Sequence, residues 1–262
     1  MVVDWQYLLL DSSQELLLVE ARRKHDRPLF EPARLQAFLS YSHDDKKLAG
    51  DLKRGLDSLR VDAFLAHEDI DTGSSWPDMI LKALKSTDFL VCILTEAFYK
   101  SDWTLQEVGV AVGHGKPIVP ISVDEVMPRG FMNTIQACKF DLKDWVSMEE
   151  DPKQNSSPYE DVLTAVSSNE GLRDRARACL VSGLAYSNTF AYANNGARLL
   201  PTFGPYTKVE VNELIRGAIT NDNLVQGYVS GPQLIKFYRE NKRSVDEELG
   251  SIFERLYRVG QS

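Results

Sequence analysis

At 262 residues, with 43% hydrophobic and 26% charged residues, the chain has the length and composition of a globular protein with one large domain or two small ones. Residues 1–150 carry 17 basic against 25 acidic residues, and residues 151–262 carry 13 of each. Neither half offers the basic face that nucleic acid or an anionic membrane surface requires, so we expect no such partner.

Cysteine usage and hydropathy indicate the compartment. Cys92, Cys138 and Cys179 are odd in number and widely spaced, which favours free thiols in a reducing environment over a disulfide framework or a zinc site. No apolar run approaches the roughly 20 residues of a membrane-spanning helix. The N-terminal stretch MVVDWQYLLLD lacks the basic start and the cleavage site of a signal peptide. We therefore expect a cytoplasmic protein with no metal centre and no membrane segment.

Residues 1–32 are predicted to form an N-terminal helical segment and a linker. Apolar residues recur at helical spacing, and a basic cluster at 22–24 follows near the end of the pattern. Pro28 and Pro32 then favour an extended connection. We expect the helical segment to pack on the domain that follows; an oligomerisation arm is the alternative.

Residues 33–150 alternate between apolar strands and amphipathic helices at the spacing of βα units, which predicts a parallel sheet with helices on both faces. The third strand is an uninterrupted apolar run and should be fully buried. Pro117 and Pro120 favour strand ends or a sheet edge for the fourth strand. The predicted strands cover 37–41, 61–66, 88–95, 117–123 and 138–142, and the predicted helices begin at Asp44, Pro77 and Ser101, with a shorter one over 130–137.

A polar linker rich in Pro, Ser and Asn, residues 151–158, leads into a mostly helical region over 158–262. Helical periodicity recurs there at 159–166, 172–184, 209–219, 233–238 and 245–257. Clusters of Asn, Gly and Pro predict loops at 194–196, 203–205, 221–223 and 230–232. The region contains no motif for chemistry, and its first helix is also a candidate to complete the α/β domain.

The helix that follows the third strand carries the best candidate for chemistry. Leu105, Val108 and Val112 are spaced to face the core. Trp103 and Glu107 are four residues apart, so they lie one above the other on a different face. Because the helix follows a buried strand, it should begin at the carboxyl edge of the sheet, where open α/β folds bind ligands.

Four motifs resemble, in their order and spacing, those of the TIR (Toll/interleukin receptor) domain family. They are AFLSYSHDD at 37–45, DIDTGSSWPDMI at 69–80, SDWTLQEVG at 101–109 and KPIVPI at 116–121. The resemblance covers residues 35–145 and implies a flavodoxin-like, five-stranded parallel sheet, here with the appended, mostly helical C-terminal domain. The spacing of Trp103 and Glu107 resembles the branch of the family that breaks down NAD, and the segment at 128–131 is closer to bacterial members.

This resemblance implies that NAD⁺ is a substrate, with no cofactor, and that Glu107 is catalytic. Trp103 offers a flat face for a cofactor ring. Further substrate contacts are predicted at the first strand end and in the loop after the second strand: Ser40, Tyr41, Ser42, His43, Asp69 and Trp76. The BB loop of the family, which mediates self-association in relatives, corresponds to residues 69–76 and contains Asp71 and Gly73. A tight turn is the simpler role for Gly73, and a packing role is the alternative for Trp76.

The chemistry of NAD⁺ suits a single carboxylate. Nicotinamide is joined to C1′ as a cationic pyridinium and leaves as a neutral molecule, so the paired carboxylates of ordinary glycoside cleavage are not needed. One carboxylate beside C1′ can stabilise an oxocarbenium-like transition state. Attack by water would give ADP-ribose, and attack by an adenine nitrogen would give a cyclic product; the sequence leaves both open.

The resemblance to bacterial members suggests an NAD⁺ glycohydrolase or ADP-ribosyl cyclase in immune defence or toxicity. Homo-oligomerisation through TIR–TIR contacts would control it, and the C-terminal domain would bind an unknown trigger. The alternative is a non-catalytic TIR scaffold in which Glu107 is an incidental surface residue. A nucleoside-processing hydrolase is a third hypothesis, because such enzymes share the fold and a catalytic glutamate.

Overall fold

The structure, a computed structural model, describes residues 34–65, 76–147 and 157–257, together with Val19. The chain divides into two compact units: the first unit comprises Arg34–Ala176, and the second unit contains the residues from Arg177 onward. Apart from Val19, the helical segment predicted over 1–32 lies outside the described residues, as do residues 151–156 of the predicted linker.

A five-stranded parallel sheet forms the centre of the first unit, as far as the structure describes it. The strands are β1 Leu35–Ser40, β2 Val61–Leu65, β3 Phe89–Leu94, β4 Ile118–Val123 and β5 Cys138–Phe140. They lie in the order β2-β1-β3-β4-β5, which is the flavodoxin-like order. β3 and β4 are buried at every position, as expected of strands covered on both faces. The predicted fold class is confirmed.

Helices cover both faces of this sheet. α1 Lys46–Ser58, α2 Trp76–Ser86 and α3 Asp102–Gly113 connect successive strands, and α4 Leu142–Ser147 and α5 Pro158–Ser167 follow β5. The step from β1 to β2 runs across the sheet in the opposite direction from the two steps that follow. Right-handed crossovers therefore place α1 on one face and α2 and α3 on the other. Contacts between α2 and α3, and between α1 and α5, agree with this arrangement.

Two predictions for the chain from β4 onward need correction, although Pro117 directly precedes β4, as expected at a strand end. Pro120 lies inside β4, which β3 and β5 flank, so β4 is not an edge strand. The proline is tolerated because the described pairing of β5 with β4 begins only at Ile121. The helix predicted over 130–137 is a single 3-10 turn, Gly130–Met132. Gly130 opens that turn with a φ of 61°, which does not continue into an α-helix.

α5 packs in the first unit. It contacts α1, β4 and β5. Tyr159 lies so close to Gly55 of α1 that a Cβ added at Gly55 would be 2.1 Å from the ring. The division of the chain therefore differs from the predicted limits of 33–150 and 158–262. The sequence allowed this helix to belong either to the helical region or to the α/β domain, and in the structure it packs as part of the α/β domain.

The second unit is helical throughout its described elements, which confirms the predicted character of the region. α6 Arg173–Ala185 spans the boundary and is followed by α7 Phe190–Phe203, α8 Lys208–Thr220, α9 Asp222–Val225, α10 Ser230–Asn241 and α11 Glu247–Tyr257. Among the helices that the structure describes, none has the length and apolar character needed to cross a membrane.

Two of the loops predicted in this unit lie in longer helices, and residues 222–223 of a third belong to the four-residue helix α9. Residues 194–196 lie inside α7, and residues 230–232 form the first turn of α10. The buried side chain of Asn194 explains both, because its Oδ1 accepts hydrogen bonds from the backbone N–H groups of Val229 and Ser230 at 2.9 and 3.0 Å. These tertiary hydrogen bonds outweigh the low helix propensity of asparagine.

Candidate active site

The candidate catalytic helix, α3, begins just beyond the carboxyl end of β3. One 3-10 turn, Phe98–Lys100, separates them, and Ser101 takes the N-cap position of α3. The hydroxyl of Thr104 lies 2.6 Å from the carbonyl oxygen of Phe98 and 2.9 Å from that of Ser101. These hydrogen bonds tie the first turn of α3 to the connection from the strand, so the helix starts at the carboxyl edge of the sheet.

The buried face of α3 differs from the predicted one. Leu105 and Val112 are 46% and 37% exposed, and of the three residues expected to face the core only Val108 is buried. The buried positions of the helix are Thr104, Glu107, Val108 and Ala111. The apolar spacing predicted the wrong face because two of the buried residues, Thr104 and Glu107, are polar. Both are hydrogen-bonded within the first unit.

The carboxylate of Glu107 is buried against β1. Glu107 is 3% exposed, and Ser40, the last residue of β1, is fully buried. The hydroxyl of Ser40 donates a hydrogen bond of 2.5 Å to Oε2 of Glu107. Within the part of the chain that the structure describes, Ser40 is the only hydrogen-bond partner of this carboxylate, and Oε1 has none. Glu107 is therefore not the surface residue that the scaffold hypothesis assumed.

Burial sets the protonation of this carboxyl group. It raises the pKa of Glu107 from about 4.5 to about 7, and the hydrogen bond from Ser40 opposes the rise without cancelling it. Both protonation states are therefore populated at neutral pH. Cys92, which is paired with Ser40 in the sheet register, is also buried. Burial, and then the charge of Glu107, raise the pKa of the Cys92 thiol well above its usual range, so the thiol stays neutral.

Trp103 lies one helical turn before Glu107. Its half-buried side chain packs against the apolar cluster of the first unit, to which Phe98 and Val108 belong. The structure thus gives the indole a packing role in the core. Its predicted role as a flat face for the nicotinamide ring stays a prediction.

The chain after β1 holds the other residues predicted to contact the nucleotide. Tyr41 and Ser42 are buried and His43 is exposed. The Ser42 hydroxyl accepts a 3.4 Å hydrogen bond from the backbone N–H of Asp44, and so caps the 3-10 turn that begins at His43. Of the four residues predicted at this strand end, Ser40 is the one with a described hydrogen bond to the carboxylate.

The remaining predicted site residues cannot be placed around the carboxylate. Asp69, Asp71 and Gly73 lie outside the described residues, as does the side chain of Trp76, whose backbone begins α2. Their roles in substrate binding and self-association stay predictions.

Comparison with known proteins identifies the first unit. A family model of the TIR domain matches residues 37–155. These residues form a TIR domain. Among solved structures, the chain is similar to the TIR domain of the Toll-related receptor TRR-2 from the lower metazoan Hydra magnipapillata. That match has 16% identity and a TM-score of 0.37, and it covers 43% of this chain and 88% of that chain. No curated protein matches the chain.

The TIR domain also has a cleft that the sequence did not predict. It has a volume of about 640 Å³ and lies at the carboxyl edge of the sheet, near the ends of β1, β3 and β4. Two of its acidic residues have structural partners. Asp45 accepts from the Thr95 hydroxyl at 2.6 Å, and Asp124 accepts from the backbone N–H of Leu142 at 2.8 Å. Glu107 does not line this cleft. Asp124 directly follows β4, and Asp45 ends the 3-10 turn that comes after β1, so acidic residues soon after predicted strands are the signal that could have found them.

The donors around Glu107 define what this site can do. Within the described residues, the TIR domain and the second unit hold no group of three or more His, Cys, Asp and Glu residues placed to bind a metal ion. Next to the carboxylate lie a neutral hydroxyl and a neutral thiol. The Glu107 carboxylate can therefore accept hydrogen bonds from hydroxyl groups of a ligand, or, when it is ionised, stabilise a positive charge that develops next to it.

Proposed function

We propose that the TIR domain is an NAD⁺ glycohydrolase that cleaves the nicotinamide–ribose bond, with Glu107 as its catalytic residue. The observation that carries the proposal is the buried carboxylate of Glu107, whose only described partner is the neutral hydroxyl of Ser40. Burial of a carboxylate without a cation is costly. Groups with strongly perturbed pKa values cluster at functional sites, and a role in catalysis accounts for a carboxylate in this costly position.

NAD⁺ would supply a positively charged partner for the Glu107 carboxylate. As the bond to C1′ breaks, the positive charge moves from the pyridinium ring to the ribose, and nicotinamide leaves as a neutral molecule. No proton has to be supplied to the leaving group. An ionised Glu107 beside C1′ would stabilise the developing charge, and its effect is larger in a buried site than in water.

Other residues of the proposed site would contact the rest of NAD⁺. Trp103 would hold the nicotinamide ring, and the loop after β2 would contact the nucleotide through Asp69 and Trp76. Attack by water would give ADP-ribose, and attack by an adenine nitrogen would give cyclic ADP-ribose. The same carboxylate serves both reactions, because both pass through a ribosyl cation-like state.

We also propose that activity depends on assembly into a homo-oligomer through TIR–TIR contacts, with Asp71 and Gly73 in the contact loop. The second unit would bind the trigger, and the protein would act in the cytoplasm in bacterial immune defence or toxicity. Within the TIR family as a whole, self-association and NAD⁺ cleavage occur together in some members, which is the support for this part of the proposal.

The function is tested by incubating the purified full chain with NAD⁺, and separately with simple nucleosides, over a range of protein concentrations. We expect nicotinamide release from NAD⁺ alone, with a specific activity that increases with protein concentration. The second product, linear or cyclic ADP-ribose, decides between hydrolysis and cyclisation. Base release from nucleosides but not from NAD⁺ would favour the nucleoside hydrolase. Self-association without any turnover would favour the scaffold.

A further inference from the structure

Ser40 has a geometry that suits a role other than contact with the nucleotide. It is fully buried, and its hydroxyl donates to Oε2 of Glu107 at 2.5 Å. A serine hydroxyl has one proton to donate, and here the carboxylate receives it. We propose that Ser40 is a positioning residue that holds Oε2 of Glu107 and so presents Oε1 to the ribose of NAD⁺. This inference rests on the proposed function of Glu107.

The position of Ser40 on the sheet makes it a rigid anchor. β1 is paired with β2 on one side and with β3 on the other, and Ser40 itself is paired with Cys92. A glutamate side chain on a helix has three rotatable bonds, so its carboxylate needs an external contact to keep one orientation. A hydrogen bond from a fixed strand supplies that contact, which is the kind of support that catalytic groups require.

The two oxygens of the Glu107 carboxylate are not equivalent. Oε2 is occupied by Ser40, whereas Oε1 has no hydrogen-bond partner among the described residues. A carboxylate can accept several hydrogen bonds through its two oxygens. If Ser40 keeps Oε2, then Oε1 is the oxygen available to a ribose hydroxyl or to the charge that develops at C1′.

The same hydrogen bond favours the ionised form of Glu107. Burial raises the pKa of this group, and the Ser40 hydrogen bond lowers it. The titratable group that faces Glu107 from β3 is Cys92, and its thiol stays neutral because burial raises its pKa well above the usual range. Loss of the Ser40 hydroxyl should therefore raise the pKa of Glu107 further and reduce the ionised fraction at neutral pH.

The test compares Ser40→Ala with wild type in the full chain. A hydrogen bond to a charged group contributes enough to move a pKa by about one unit. We therefore expect the pKa of Glu107, followed by carbon-13 NMR of its carboxyl group, to rise by about one unit in S40A. From ionisation alone, kcat at pH 7 should fall about fivefold and recover most of this loss near pH 9. The KM for NAD⁺ should change little.

Two further variants make the test specific. Ser40→Cys keeps nearly the same volume with a much weaker donor, and should shift the titration in the same direction if Ser40→Ala fails to fold. Ser122→Ala is the matched control, because Ser122 is also a fully buried strand serine, and its hydroxyl donates to the backbone carbonyl of Val126 at 2.7 Å. S122A should leave both the Glu107 titration and the pH profile of cleavage unchanged.

The outcomes separate this inference from the proposed function. An unchanged Glu107 titration in both Ser40 variants would overturn the positioning role, whatever the activity. A raised KM at every pH without a shifted profile would also overturn it and favour a direct contact with the nucleotide. A third outcome is that wild type does not cleave NAD⁺ while the pKa of Glu107 is still raised in S40A. This result would overturn the proposed function and the ribose-facing role of Oε1. It would leave intact the inference that Ser40 holds the carboxylate.

Discussion

At the scale of single residues, the burial of Glu107 has a thermodynamic consequence. Its pKa is raised in the folded chain from about 4.5 to about 7, so the folded state binds this proton more tightly than the unfolded state does. The contribution of the protonated group to stability is therefore complete below about pH 4.5. It is lost progressively as the pH rises from about 4.5 to about 7. The loss amounts to roughly 3 kcal/mol.

Glu107→Gln should remove this pH dependence, because glutamine can still accept the Ser40 hydrogen bond but carries no charge. Relative to wild type, E107Q should gain roughly 2–3 kcal/mol in the free energy of unfolding between pH 5 and pH 8. Urea titrations at the two pH values measure this difference. Asp102→Asn, at the exposed start of the same helix, is the control and should change stability by no more than about 0.5 kcal/mol. Parallel curves for wild type and E107Q would contradict the raised pKa.

The catalytic rate should follow the same titration. If the ionised carboxylate stabilises the ribosyl cation, kcat for NAD⁺ cleavage should rise with pH through about 7, the pKa of Glu107, and level off above it. The binding of NAD⁺ can shift this pKa downward, because the substrate is cationic. Initial rates at saturating NAD⁺ between about pH 5.5 and 9 provide the measurement. A rate that falls over this range would show that the protonated group is the active form.

At the scale of secondary structure, the success of sequence-based prediction depended on where polar side chains find their partners. β3 and the amphipathic helix α1 were predicted because apolar residues define their buried faces. The buried face of α3 was not, because Glu107 finds its partner on β1, 67 residues away in the sequence. α7 was missed in the same way, since the partners of Asn194 lie more than 30 residues further along the chain. Local periodicity contains no information on such distant contacts.

The packing of α5 on α1 can be tested with two glycines of the same helix. A Cβ at Gly55 would meet the ring of Tyr159 at 2.1 Å, whereas one at Gly50 would have its nearest neighbour, the Arg54 guanidinium, at 3.9 Å. Gly55→Ala should therefore destabilise the protein by about 1–3 kcal/mol. Gly50→Ala should stabilise it by up to about 1 kcal/mol through helix propensity.

Thermal and urea unfolding of the two variants measure these effects. Equal stabilisation by both substitutions would show that α5 does not pack on α1 as described. It would favour the alternative prediction, in which this helix belongs to the C-terminal helical domain.

At the scale of the whole molecule, the buried charged side chains that the structure describes in the second unit form ion pairs with one another. Arg177 pairs with Glu210 at 2.9 Å, and Arg216 pairs with Glu213 at 2.7 Å; all four side chains are buried. Removal of one member of such a pair would leave a buried charge without compensation. These residues are therefore suited to holding the unit together and not to chemistry on NAD⁺, which agrees with a regulatory role for this unit.

A chain shortened to residues 1–176 should retain NAD⁺ cleavage, or show more of it. It keeps α5 and the ion pair in which both terminal nitrogens of Arg175 contact the Asp88 carboxylate, at 2.6 and 2.8 Å. A chain that ends at Ser157 lacks α5 and should unfold more readily, which makes it the control for the choice of boundary. Complete loss of cleavage in a folded and assembled 1–176 chain would contradict a regulatory role for the second unit.

The catalytic role of Glu107 in NAD⁺ cleavage is tested by measuring nicotinamide release at saturating NAD⁺ for wild type, E107Q and the control D102N. Oligomeric state and pH must be the same for all three, with the pH held near 8, where Glu107 is mostly ionised. We expect E107Q to lose a hundredfold or more in kcat, on the order of 3 kcal/mol, as for the loss of one preorganised electrostatic group. D102N should retain the wild-type rate. Equal turnover by E107Q and wild type would contradict the assignment of Glu107.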